Sequence, residues 1–131
     1  MDHDRPAKPE TWDSLLEARS ADVQEAARAI AGVLMAELPD GVVRFDRADG
    51  LLAFGTSSAM SDLLFALIPH GRWVNLQLAD GAVLADPDGL IEGTGKRIRH
   101  VKIRSAELAL SPAVREIVQA QVGARRSAAD R

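Results

Sequence analysis

The chain has 131 residues, 47% of them hydrophobic, and no cysteine. That is enough for one domain with one core, and it excludes disulfides, thiolate metal sites and cysteine nucleophiles. A formal net charge of -3 argues against a dedicated nucleic-acid binder, which is usually basic overall. The charge is also polarised. Residues 1–49 carry eleven acids against six bases, whereas residues 96–131 carry nine bases against three acids.

The first ten residues are polar, contain two prolines and lack the apolar core of a signal peptide. They read as a flexible tail. No apolar run approaches the roughly 20 residues a membrane helix needs. Together with the absent cysteines, this gives the expectation of a soluble cytoplasmic protein.

Thr11 is placed to cap a short helix that buries Trp12, Leu15 and Leu16. Ser20 is a second N-cap, for a helix over 21–38. Val23, Ala26, Ala27, Ile30, Val33 and Leu34 recur there at helical spacing. Pro39-Asp40-Gly41 ends it. The period then changes. Residues 42–46 alternate, Ala48-Asp49-Gly50 is a turn, and 51–55 form a second strand. Residues 60–68 are almost uniformly apolar and read as a central strand. Residues 72–78 alternate, with Val74, Leu76 and Leu78 inward and Trp73, Asn75 and Gln77 outward. A long loop runs from Asp86 to Gly95, and the last strand spans 98–104. Ser111-Pro112 opens a helix that Gly123 is expected to stop, leaving 124–131 as a second flexible tail.

This order gives an α+β two-layer sandwich over residues 11–123. An antiparallel sheet of about five strands is covered on one face by the N- and C-terminal helices. The opposite face then meets solvent or a partner, and it is where function is sought.

Six basic side chains fall between Lys96 and Arg104 in "GLIEGTGKRIRHVKIRS". The stretch fails as a nucleotide-binding loop: the residue five before Gly95 is Leu90, Arg97 stands where a hydroxyl is needed, and a strand follows instead of a helix. The amides of Gly93, Thr94 and Gly95, with Lys96 and Arg97, suit a small anion. The same glycines equally suit a tight turn with no ligand. Alternation puts His100, Lys102 and Arg104 on the outward face with Trp73 and Asn75, a combination fitting a phosphate, a carboxylate or an acidic protein partner. Nucleic acid is not expected, because few aromatic residues are left for stacking.

Metal ligands are sparse. Glu17, Asp22 and Glu25, with Asp40 and Asp46, make a dispersed acidic edge of the kind that binds hard cations weakly. Asp86 and Asp88 miss the spacing of a calcium loop. No serine, histidine and acid come together by spacing, so catalysis is not expected.

The run "VNLQLADGAVLADPDGLIEGTGKRIRHVKIRS", with "LPDG" and "MSDLLFALIPH" before it, resembles the YdhG-like family, a bacterial domain of unknown function. The matching segments are Val74–Leu76, Leu84–Pro87, Gly89–Lys96 and Arg99–Ser105. The resemblance implies a frataxin-like sandwich, and, through relatives classed as intracellular iron chaperones, iron held at an acidic first-helix edge with the sheet meeting a partner. Three readings therefore stand: a non-catalytic iron chaperone, a binder of small anions, and an interaction domain without a ligand.

Overall fold

The computed structural model describes residues 8–129. Two capped helices open the chain. In α1 (Trp12–Glu17), the Thr11 hydroxyl accepts the Ser14 N–H while the Ser14 side chain accepts the Thr11 N–H, so each satisfies a donor the helix leaves orphaned. In α2 (Ala21–Glu37), Ser20 accepts the Val23 N–H. Val23, Ala26, Ala27, Ile30 and Leu34 are all buried on one stripe of α2.

Six strands follow: β1 (Val42–Asp46), β2 (Leu51–Gly55), β3 (Leu63–Pro69), β4 (Val74–Leu78), β5 (Ile91–Glu92) and β6 (Arg99–Ile103). They form one antiparallel sheet in the order β1-β2-β3-β4-β6-β5. The short α3 (Ala106–Ala109), capped by Ser105, and the long α4 (Pro112–Ala129) complete the chain. Contacts from α2, α3 and α4 all reach the sheet. The α+β arrangement expected from periodicity is the one the chain adopts, with six strands instead of five.

The sixth strand is β5, inside the segment read as a long loop. Its two residues pair with Val101 and His100, and two residues are too few to show a period. Residues 60–62 are not strand. They form a 3-10 turn whose Asp62 receives the Ser57 hydroxyl at 2.6 Å and, through its carbonyl, the Thr56 N–H. The last strand begins at Arg99 instead of Ile98.

Gly123 does not end α4. The helix continues to Ala129, and Gly123 has no positive φ. Gln121 and Val122 are buried just before it, and Arg125 just after it is tied to Ser61 and Asp80. Those tertiary contacts hold the last turns helical where local propensity favoured a stop.

The register sorts the two faces. Phe54, Phe65, Leu67, Val74, Leu76, Leu78, Val101 and Ile103 face the helices and are almost fully buried. On the other face, one row runs Asp46, Leu51, Ile68, Asn75, Lys102, and the next runs Arg44, Ala53, Ala66, Gln77, His100, Glu92. Charges sit towards the edges of these rows and small or apolar residues at their centre.

Candidate functional site

Strand alternation puts Trp73, Asn75, Lys102 and Arg104 on the uncovered face, and the β4–β6 pairing brings them together. Asn75 lies directly opposite Lys102. The Lys102 Nζ stands 4.7 Å from the Trp73 ring centroid and the Arg104 guanidinium carbon 5.2 Å from it. Both are within the range of cation–π attraction.

His70 joins them, although the sequence showed it only as a turn residue. Its backbone N–H donates to the Trp73 carbonyl at 2.8 Å, closing the β3–β4 turn, and its ring lies 5.4 Å from that of Trp73. The hydrogen bonds fix the orientation of each group. The indole N–H can only donate, and it meets the Asn75 Oδ1 at 2.8 Å. The Asn75 Nδ2 therefore donates to the His70 Nε2, 3.1 Å away. The indole is thus held by an amide and flanked by two cations. Pairing with Glu92 at 3.7 Å restrains Lys102 only weakly, since both side chains are solvated. Arg104 is exposed.

His100 lies one row away, opposite Gln77 and Glu92. The loop residues Gly93, Thr94, Gly95, Lys96 and Arg97 are all exposed in the β5–β6 turn. The glycines there have a backbone reason. Gly93 adopts φ of 116°, and a Cβ on Gly95 would stand 2.5 Å from the Ile98 carbonyl oxygen. The Gly95 carbonyl accepts the Arg99 Nε–H at 2.7 Å, which closes the turn.

Arg97 points to Asp80, with Nη2 to Oδ1 at 3.0 Å. Asp80 is the centre of a second polar cluster that spacing did not reveal. Its other carboxylate oxygen accepts from Gln121 Nε2 at 2.7 Å and Arg125 Nη2 at 3.2 Å. Its backbone N–H donates to the Gln121 Oε1 at 2.8 Å. Burial raises the Asp80 carboxyl, but the bonds from Gln121 and Arg97 and the charge of Arg125 outweigh that and hold it below its ordinary range. The fully buried Gln121 thereby ties α4 to the end of β4. The pairing of Arg99 or Arg104 with Asp46 or Asp62, conceivable from charge alone, does not form. Asp46 caps the Asp49 N–H and Asp62 holds Ser57.

On the acidic edge, Glu17 ends α1 while Asp22 and Glu25 lie in the first turns of α2, and all three are exposed. Among the described residues, no group of three or more histidines and acids is gathered closely enough to hold a metal ion. Glu17, Asp22 and Glu25 are therefore not gathered into one ligand set. No helix among the described residues is long and apolar enough to cross a membrane.

Compared with known proteins, the chain matches no family model, no curated protein and no solved structure.

Proposed function

We propose that this protein is a non-catalytic binding domain whose uncovered sheet face recognises a carboxylate- or phosphate-bearing partner through Trp73, Lys102 and Arg104. One observation carries the reading: two solvent-reaching cations flank an indole that is fixed by the Trp73–Asn75–His70 chain of hydrogen bonds. A rigid aromatic with cations at its face offers an anionic group a charge-assisted contact and its apolar surroundings a flat surface. The polar groups of the cluster hydrogen-bond to one another, which suits a positioned surface. Resemblance to the YdhG-like family adds a bacterial, cytoplasmic setting to this proposal. The iron-chaperone reading rests on that resemblance alone.

The test is a fluorescence and calorimetric titration with inorganic phosphate, an oligoglutamate peptide and an oligolysine peptide. Oligoglutamate is expected to bind at low salt and to weaken as salt rises, oligolysine is expected not to bind, and Lys102→Ala/Arg104→Ala is expected to abolish the signal while keeping the melting temperature. Equal binding of the two peptides, or unchanged oligoglutamate affinity in the double variant, would overturn the proposal. Binding of phosphate but not of the peptide would place a small anion on the same residues.

A further inference from the structure

A concavity lies on the uncovered face, over β2 and β3, apart from the Trp73 cluster on β4 and β6. It arises because the central positions of one cross-strand row are alanines. Ala53 and Ala66 form the floor, while the neighbouring positions in that row are the longer Arg44 and Gln77. The cavity holds about 370 Å³. That is at the small end of small-molecule sites, which usually combine an apolar lining with a few converging polar groups.

Its rim explains two otherwise costly side chains. Met60 is 76% exposed and Ile98 is 53% exposed, and both line this one cavity. They come from separate loops, one before β3 and one before β6. Exposed apolar groups converging on a concavity mark a surface built to be covered.

The charge at one end selects the occupant. Arg97 and Arg125 both line the cavity, and they share a single carboxylate, Asp80. Two guanidiniums on one acid leave a positive charge over. Arg97 is the accessible member, its side chain 73% exposed, whereas Arg125 is 18% exposed and also donates to the Ser61 carbonyl at 2.7 Å. Arg44 adds a third guanidinium on the floor row. The acids of the lining, Asp46 and Asp49, lie where β1 ends and the β1–β2 turn begins, and the Asp46 carboxylate accepts the Asp49 N–H there.

We infer that this cavity binds an amphipathic anion, a short acyl or aromatic carboxylate, with its apolar body over Ala53 and Ala66 and its carboxylate against Arg97. The size excludes a long-chain lipid lying wholly inside. The guanidinium fork suits a carboxylate, which it meets with two parallel N–H donors.

Anilinonaphthalene sulfonate, itself an apolar anion, is the probe. The native protein is expected to bind it, and octanoate to displace it. Octyltrimethylammonium, which carries the opposite charge, and acetate, which lacks the apolar body, are expected not to. Arg97→Gln should weaken octanoate roughly tenfold, the loss of one charge-assisted contact. Met60→Ser/Ile98→Ser, both at exposed positions, should weaken it with the melting temperature retained, and Ala66→Leu should fill the site. Equal displacement by octyltrimethylammonium, or octanoate affinity untouched by Met60→Ser/Ile98→Ser, would overturn the inference. Lys102→Ala/Arg104→Ala should leave octanoate binding unchanged. If that variant alone abolishes it, the ligand sits at Trp73 and the cavity assignment falls.

Discussion

Replacing Gln121 with leucine tests the Asp80 clamp. Gln121 is fully buried and makes two reciprocal bonds to one residue: its Oε1 accepts the Asp80 N–H at 2.8 Å and its Nε2 donates to the Asp80 carboxylate at 2.7 Å. Leucine keeps most of the volume, so the cavity contribution is small. It leaves the Asp80 N–H without its acceptor and takes one donor from the carboxylate. A neutral bond contributes about 1 kcal/mol and one to a charged group about 1.5–3 kcal/mol, so the loss should be about 2–4 kcal/mol. For a chain between the small and mid-sized ranges, each kcal/mol moves the melting temperature by roughly 3–4 °C. A fall of about 6–16 °C is expected in circular dichroism melts, with a matching decrease in the urea midpoint at unchanged slope. The cycle with Asp80→Asn should show strong coupling, because the two side chains share their bonds. A loss below about 1 kcal/mol would mean that Gln121 is held by packing alone and that its bonds to Asp80 do not anchor α4.

Further outcomes follow from single positions. Gly123→Ala should stabilise by about 0.5–1 kcal/mol, since a Cβ there meets nothing within 4 Å and the helix runs on past it; destabilisation would mean that the helix ends at this residue. Gly95→Ala should cost about 1–3 kcal/mol because its Cβ would press on the Ile98 carbonyl, and a neutral result in a denaturant melt would refute the close approach. Acid should act through Asp80. Its folded pKa lies below the unfolded value of 3.8, so its contribution is complete above that value and is lost as pH falls through the folded one. Asp80→Asn should be less stable than the native protein at neutral pH and should lose less stability on acidification. Parallel pH profiles for the two proteins would contradict this.

Much of the molecule was legible because local chemistry repeats. Thr11 and Ser20 announce helices through a hydroxyl at the cap, and Val74, Leu76 and Leu78 announce their buried face through strict alternation. The outward placement of Trp73, Asn75, Lys102 and Arg104 came from the same period. His70 was read as a turn residue and nothing more, because its role depends on a turn that folds it back over Trp73.

The sequence by itself determined the α+β layering and which face of each strand is apolar, since both follow from periods of a few residues within one element. Only the tertiary structure decided what meets across elements. Asp80 and Gln121 are 41 residues apart, β5 is strand only because β6 lies beside it, and α4 passes Gly123 because its far end is anchored to Asp80 and Ser61. Such contacts have no signature in spacing, because their energy comes from the burial and pairing of groups that the chain brings together only when it folds.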